Sequence, residues 1–564
     1  MAAGENEDFA RGLWPEAMER SRKMGFYLNS RTAYALFENE VRQPYYVDKS
    51  EMLEELIPLV KAGNRHICLT RPRRFGKTVM ANMISCFFSK ANDARSLFDG
   101  LRIAESENYE VCRNQYPVVH ISFNDVPRDS RSYEAYINRI QNRIIKDLQK
   151  EFPDVDFDPE DAVWDAFMTL YMEHPDIRFL FIFDEWDFIF HQEFVTEEEK
   201  KAYLVFLRSL LKDRPYVQFA YMTGILPISK YSSGSELNMF AEYTMARSRT
   251  FSEYFGFSDA EVDVLYRKYC QIQEEPRFVS REELRRWYDG YTTPAGVRLY
   301  NPRSVVMALS NNSLENYWTS SGPYDEIFYY IKNNVDSVRD DLALMVSGNS
   351  VPVKIQEYAA SAQSLKTKEE IFSAMVVYGF LSYENGAVSI PNKELMDQFG
   401  DLLKREPSLG YVYRLAKESD RMLRATLYGD TDTMEQILEM VHDTESPILS
   451  YNHETELSAV VNLAYLSARD VYRVEREEKA GKGFVDFIFY PEMPQVTAGI
   501  ILELKVGKSP GEAIAQIQEK NYMSRFTVPM SGPIRKPDRV LLVGISYDKE
   551  SKKHRCLVKN MSLK

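Results

Sequence analysis

Cysteine is scarce in this chain: five in 564 residues (Cys68, Cys86, Cys112, Cys270 and Cys556), with no Cys-x-x-Cys pair. That spacing excludes a zinc ribbon and a disulfide framework, and it fits reduced thiols in a cytoplasm. Histidine, seven in all, forms no cluster and no His-Glu-x-x-His element. No G-x-S-x-G element or Cys/His pair suggests acyl-transfer chemistry. No stretch approaches about 18 consecutive apolar residues, so no membrane span is expected. The acidic start, MAAGENEDFARGLW, lacks the apolar core of a signal peptide. Positive charge is in short supply too, with 70 Lys+Arg against 84 Asp+Glu and a formal net charge of −14. Such a surface cannot grip nucleic acid everywhere, because phosphate binding needs a concentrated cationic face. Residues 501–564 are the exception, with a net charge of +7.

What is present is globular: 44% hydrophobic and 13% aromatic residues, in a length that suggests about three or four domains. Four short apolar runs organise the first half: RHICLT (65–70), VVHISF (118–123), RFLFIFDE (178–185) and VQFAYMT (217–223). Continuous apolar runs alternating with helical spacing predict strands buried on both faces, in a parallel α/β sheet. Residues 280–450 read as mainly helical. Within them FLSYENGAVSI (380–390) predicts a hairpin about Asn385–Gly386. With helices on either side it reads either as a winged-helix element or as a two-stranded ribbon on a helical lid. The last 110 residues return to mixed character: a helix (454–468), strands at 484–490 and 499–506, a helix (511–522) and a strand at 539–547.

The first strand runs into Arg71-Pro72-Arg73-Arg74-Phe75-Gly76-Lys77-Thr78 and then a helix. A Gly-Lys-Thr ending between strand and helix is the P-loop arrangement. Backbone N–H groups hold phosphates, Lys77 reaches the β/γ oxygens, and the Thr78 hydroxyl serves Mg²⁺. Arg71 stands where such a loop begins with Gly. The arginines 71, 73 and 74 either supply positive charge to the loop or pair with the helical lid. Asp184 and Glu185 leave the all-apolar third strand, which is costly unless they bind a cation or polarise water. The expected roles are Mg²⁺ coordination for Asp184 and orientation of the attacking water for Glu185. Asp187 is either a supporting partner or exposed. Thr223, ending the fourth strand, is a candidate contact to the γ-phosphate or the water, and Arg247 and Arg249 are candidate trans-acting fingers.

TRPRRFGKTVMANM, with YYVDKSEML upstream and FIFDEWD and MTGILPISKYSSGSELNMF downstream, resembles the bacterial AAA-ATPase-like family. WYDGY (287–291) and YNPRSV (300–305) extend the likeness, which spans roughly residues 30–555. The loop form R-P-R-R-x-G-K-T is that family's own variant. The resemblance implies an additional-strand P-loop ATPase fused to a C-terminal domain of the PD-(D/E)XK nuclease superfamily.

The C-terminal block carries matching residues. Asp486 lies in GFVDFIFY, and Glu503 and Lys505 lie in ILELKV. Alternation sends Leu502, Leu504 and Val506 to one face of a strand and Glu503 and Lys505 to the other. Asp486 and Glu503 are suited to share Mg²⁺, with Lys505 beside it to orient water or stabilise charge. Taken alone, Glu503-Leu504-Lys505 reads first as an exposed cross-strand charge pair; Asp486 in a buried run, the Gln-bearing helix and the local +7 charge weigh against that. The preceding helix offers Glu454 and Glu456, of which the resemblance favours Glu454. The following helix places Gln516 and Lys520 on one face, with Tyr522 beyond, a Gln-x-x-x-Lys helix that also resembles the superfamily.

The reading is therefore an N-terminal extension (1–39), a P-loop ATPase domain (40–275), a helical or winged-helix-like middle (276–445) and a restriction-endonuclease-like mixed α/β domain (446–564). ATP and Mg²⁺ are the expected cofactors. The expected nucleotide ligands are Arg73, Arg74, Phe75, Gly76, Lys77, Thr78, Asp184 and Thr223. Glu185, Asp486, Glu503, Lys505, Gln516 and Glu454 are the expected catalytic residues. Nucleic acid, DNA in preference to RNA, is the expected partner through the basic C-terminal region, in defence or mobile-element biology. The alternative is a regulatory or switch ATPase whose C-terminal domain binds without cutting.

Overall fold

The computed structural model describes residues 24–126, 132–158, 160–231, 236–318, 331, 335–355, 365, 367–440, 454–480, 483–526 and 535–563. The N-terminal sheet contains β1 (Arg65–Thr70), β2 (Val118–Ser122), β3 (Phe179–Asp184), β4 (Val217–Gly224) and β5 (Ala241–Thr244), all parallel, in the order β2-β3-β4-β1-β5. The four expected strands form within a residue or so of their predicted ends. The fifth, β5, is four residues of half-exposed edge strand, too short and polar to stand out in the sequence.

Alternate residues of these strands enter different cores. Ile67, Leu69, Leu180, Ile182, Phe219 and Tyr221 face one apolar cluster, whereas Cys68, Phe181, Phe183, Ala220 and Met222 face another. Both faces are therefore covered, which is why the runs lack the polar alternation of a half-exposed strand. Each large side chain so buried contributes about 2 kcal/mol. Helices Arg31–Val41, Met52–Ala62 and Lys77–Phe88 cover the first face; Tyr133–Glu151, Val163–Glu173 and Glu197–Leu211 cover the second. Ahead of them, Asn29 N–H donates to Val118 O, and Asp147 accepts from the N–H groups of Phe26, Tyr27 and Leu28.

The middle of the chain is helical around two small sheets. β6 (Phe257–Ser258), β7 (Tyr291–Thr292) and β8 (Arg298–Tyr300) form one. The other joins β9 (Val351–Pro352) to the expected hairpin, β10 (Ser382–Glu384) and β11 (Ala387–Ser389). Asn385 and Gly386 both have positive φ (50° and 84°), as the tight hairpin turn requires. Helices Lys368–Tyr378 and Lys393–Arg405 flank the hairpin, giving the helix–hairpin–helix order anticipated, with β9 as an added third strand.

The C-terminal sheet is mixed: β12 (Tyr472–Ala480), β13 (Gly483–Pro491), β14 (Ala498–Val506), β15 (Arg539–Asp548) and β16 (Lys553–Ser562) in sequential order, with only β14 and β15 parallel. Helix Pro510–Glu519 makes the parallel crossover. The outer strands β12 and β16 were not foreseen, because both are rich in charge. The first apolar cluster runs unbroken from the N-terminal sheet through the middle helices into this sheet, ending on Phe487, Leu502, Leu504 and Val543. No helix among the described residues is long and apolar enough to cross a membrane, and all five thiols are free.

Gly290 has φ 121°, and a Cβ there would lie 1.9 Å from the carbonyl oxygen of Pro391. Gly296 also has positive φ (79°) but opens to space. Gly290→Ala should lower stability by at least about 2 kcal/mol, against about 1 kcal/mol for Gly296→Ala. Thermal unfolding of the two variants side by side checks the difference.

Candidate functional site

β1 ends at Thr70 and the loop 71–76 turns sharply into helix Lys77–Phe88, with left-handed backbone at Arg74 (φ 68°) and Gly76 (φ 86°). This turn aims the helix N-terminus at the ends of the strands. Arg71 takes neither expected role. Its guanidinium is buried and donates to the carbonyls of Thr70, Tyr243 and Phe251 over the Phe255 ring, clamping β1 to β5. Phe75 is buried edge-on against Tyr291. Arg74 donates to Tyr317 O in the helical middle. Lys77 is nearly buried, and its ammonium donates to Arg71 O at 3.0 Å and Pro72 O at 2.9 Å. Burial lowers its pKa, opposed by Asp187, Asp184 and Glu185.

Asp184 ends β3 with no solvent exposure. Burial pushes its carboxyl up to about 6, against the lowering effect of the Thr78 hydroxyl that faces it. Oδ1 accepts from Glu185 N–H at 3.1 Å, whereas the buried Oδ2 has no hydrogen-bond partner. A carboxylate oxygen left unsatisfied beside a threonine hydroxyl and a lysine is a donor set that suits a small hard cation. Glu185 has positive φ (51°), which turns it out of the strand line towards the cavity it helps to line. Asp187 is buried, not exposed: its Oδ2 accepts from Ile225 and Leu226 N–H, fixing the exit of β4. Thr223 is fully buried and spends its hydroxyl on Leu69 O at 3.0 Å, so that side chain does not join the cavity. Arg247 donates to Ile355 O within its own chain.

The loop opens into a cavity of about 750 Å³ lined by Arg73 through Thr78, Glu185, Tyr45–Val47 and the helix Pro302–Asn311. The stretches YYVDK and YNPRSV thus meet at one place, bringing Tyr45, Tyr46 and Arg303 to the loop. Nothing in their residue types alone marked them as cavity walls.

In the C-terminal sheet, Glu503 and Lys505 share one face as expected, joined at 3.0 Å between Nζ and Oε1. Gln516 Nε2 also donates to Glu503 Oε1, and Asp486 Oδ2 accepts from Leu504 N–H at 2.7 Å. Burial, and then Asp486, push the Glu503 carboxyl up to about 7. Its second oxygen is buried without a partner. Tyr522 lies beyond the helix and donates to Phe484 O, and Lys520 caps the helix in solvent. Glu454 opens helix Glu454–Ala464, but its side chain lies outside the described part of the structure. Among the described residues no group of three or more His, Cys, Asp or Glu forms a metal cluster.

Family models match two parts of the chain: residues 37–233 match "Predicted AAA-ATPase", and residues 454–555 match "PD-(D/E)XK nuclease superfamily". The chain carries an AAA-ATPase-like domain followed by a PD-(D/E)XK nuclease superfamily domain. A curated relative, the uncharacterized protein in the vnfD 5' region of Azotobacter chroococcum, is 27% identical over 288 residues. That match covers 49% of this chain, which spans about half (51%) of the relative's length. Similar solved structures include a Walker-type ATPase of Pyrococcus abyssi (12% identity, TM-score 0.34, covering 62% of this chain and 94% of that one). The ORC2 protein of Aeropyrum pernix is another (10% identity, TM-score 0.31, covering 64% and 97%).

Because Asp184 binds its proton more tightly when folded (about 6) than its ordinary 3.8, its contribution to stability is fullest below pH 4 and is lost as pH rises through 6. Asp184→Asn removes that loss. In metal-free buffer the variant should unfold at higher temperature than wild type at pH 8, with the gap closing by pH 4. A gap independent of pH would contradict the assignment.

Proposed function

We propose that residues 40–275 bind and hydrolyse ATP with Mg²⁺, that residues 276–445 link this module to the next, and that residues 446–564 cut nucleic acid, DNA in preference to RNA. The observation that carries the reading is repeated at both centres: a buried carboxylate oxygen without a protein partner (Asp184 Oδ2, Glu503 Oε2), with a lysine close by. Leaving such an atom unsatisfied costs about 1–3 kcal/mol, which favours a function for it.

In the ATPase module Lys77, Thr78 and the loop N–H groups hold the phosphate chain, Arg73 adds charge, and Glu185 orients water and accepts its proton. Asp184 and Thr78 would hold Mg²⁺. Bound Mg²⁺ supplies charge neutralisation on phosphate oxygens and, at the second centre, a more acidic water. There Asp486 and Glu503 would hold the ion, Gln516 fixes Glu503, and Lys505 positions water and stabilises charge on the phosphodiester. The likeness to the nuclease superfamily adds Glu454, at the start of the preceding helix, to this set. The net positive charge of residues 501–564 supports nucleic acid as the partner.

One observation favours the regulatory alternative: Asp486 already spends an oxygen on Leu504 N–H, and the described side chains bring only two acids together. Such a domain would bind nucleic acid without cutting it. The purified chain, incubated with DNA and RNA with and without ATP and Mg²⁺, separates the two readings. Glu185→Gln should slow ATP turnover about 10²–10⁴-fold. Mg²⁺-dependent cleavage should vanish in Asp486→Ala and Lys505→Ala while ATP turnover persists. Intact ATP turnover with no cleavage of any substrate would leave the regulatory reading standing.

A further inference from the structure

A second cavity, of about 460 Å³, lies between the middle helices and the C-terminal sheet, and neither centre described above uses it. Arg286 from helix Arg281–Tyr288, Lys393 and Asn392 at the start of helix Lys393–Arg405, and Arg469 and Arg476 from the C-terminal module converge there. Asp397 is the one carboxylate in its wall, and it pairs with Lys393 at 2.6 Å. Arg286 is shared with Glu492 at 2.6 Å. Arg469, by contrast, is held by neutral acceptors, Val346 O at 2.9 Å and Asn462 Oδ1 at 3.1 Å. Arg476 Nη2 donates to Ser458 Oγ, and its guanidinium lies over the Phe487 ring. Lys393 and Arg286, the latter also meeting Glu283 at 3.4 Å, are thus answered by carboxylates, whereas Arg469 brings positive charge to the cavity with neutral acceptors alone. Burial, with Arg476 and Arg286 as like-charged neighbours, lowers the pKa of Arg469 to about 10 despite Asp397.

Two further features point the same way. The 13-residue helix Lys393–Arg405 presents its N-terminus here, where backbone N–H groups favour an anion. Asn392 is 93% buried in the cavity wall; its Oδ1 caps Leu395 N–H, while Nδ2 has no acceptor in the protein. We propose that this cavity binds a phosphate-class oxyanion carried by a small phosphorylated ligand, clamped between the middle helices and the C-terminal sheet. Its volume lies within the range of small-molecule sites. It is separate from the acidic centre. Phe487 under Arg476 belongs to the apolar cluster shared with Leu502 and Leu504, whereas Glu503 and Lys505 face the other way, towards Gln516. The inference depends on neither the ATPase nor the nuclease reading.

The test uses the full chain carrying Lys77→Ala, so that phosphate held by the P-loop does not contribute. Inorganic phosphate should raise its unfolding temperature more than chloride at matched ionic strength. Asn392→Asp keeps the helix cap, removes the Nδ2 donor and places a carboxylate among the arginines. It should unfold at or above the parent's temperature in chloride, yet weaken apparent phosphate affinity by at least about tenfold. Arg286→Gln should weaken it in the same direction. If phosphate acts no better than chloride, or if both variants respond as the parent does, the proposal fails. A single-stranded oligonucleotide forms the other arm. If it binds with the same dependence on Asn392, nucleic acid delivers the phosphate and the small-ligand assignment is wrong.

Discussion

Covering a parallel sheet on both faces leaves polar groups one place to emerge, the ends of its strands. In this chain that constraint gathers Lys77, Asp184, Glu185 and Asp187 at the carboxyl edge of β1, β3 and β4. It also sets their electrostatics. A carboxylate at the end of Phe-Leu-Phe-Ile-Phe is shielded from water, so burial raises the Asp184 carboxyl to about 6 and makes its charge costly. Lys77 is pushed in the opposite direction by the same burial and drawn back by the acids around it. The edge is therefore a set of mutually dependent charges, and its geometry has to be held by something other than those charges. Arg71 does much of this. By donating to three carbonyls it locks the base of the loop to β1, β5 and residue 251, a role that glycine at the same position could not fill.

The loop is fixed from above as well. Arg74 donates to Tyr317 O, and Glu394 accepts from Tyr317 N–H and Trp318 N–H, each at 2.7 Å, and from Ser304 Oγ at 3.0 Å. Burial raises the Glu394 carboxyl to about 7, so these donors partly offset its desolvation. Pro72 packs where a Cβ on Gly379 would otherwise sit. A shift of the loop by even one side-chain diameter would disturb the segment 317–318, the cap of the helix Lys368–Tyr378 and, through Ser304, the helix that walls the cavity. Packed interfaces of this kind hold discrete arrangements rather than deforming smoothly, which gives loop occupancy a physical route into the middle of the chain.

The sequence made the strands legible because burial on both faces leaves a crude signal that neighbours cannot disguise. The Gly-Lys-Thr turn and the Asp184–Glu185 pair were legible for a related reason, being polar residues placed where burial makes them costly. Glu503 and Lys505 were legible through strand alternation. What stayed hidden depends on partners remote in sequence. Arg71 read either as a source of charge for the loop or as a partner of the helical lid because three arginines stood together, and only the position of β5 and residue 251 directs it elsewhere. Thr223 looked available until β1 lay beside it. Glu394 sits in a charged helix start like many others, and its burial follows from Ser304, Tyr317 and Trp318, 76 to 90 residues earlier. Edge strands β5, β12 and β16 were missed because edges tolerate charge, which erases the pattern used to find them.

The two faces of the C-terminal sheet do different work, and its amino-acid pattern explains why one strand can serve both. β14 sends Leu502 and Leu504 into the core that continues through the middle helices, and sends Glu503 and Lys505 towards helix Pro510–Glu519. Ion pairs tie the sheet to helix Arg281–Tyr288 from outside that core: Arg473 meets Glu282 at 3.0 Å and Arg286 meets Glu492 at 2.6 Å. Half-exposed pairs such as these contribute little to stability singly, but they fix orientation. Within the sheet β14, β15 and β16 are hydrogen-bonded along most of their length, as are β12 and β13, whereas β13 meets β14 over three residue pairs, Phe487–Leu502 to Phe489–Ile500. Glu503 and Lys505 lie on β14, and Leu504 N–H between them donates to Asp486 Oδ2 on β13. The acidic pair thus spans the seam of the sheet with the shortest strand pairing, where Leu504 N–H ties Asp486 to β14.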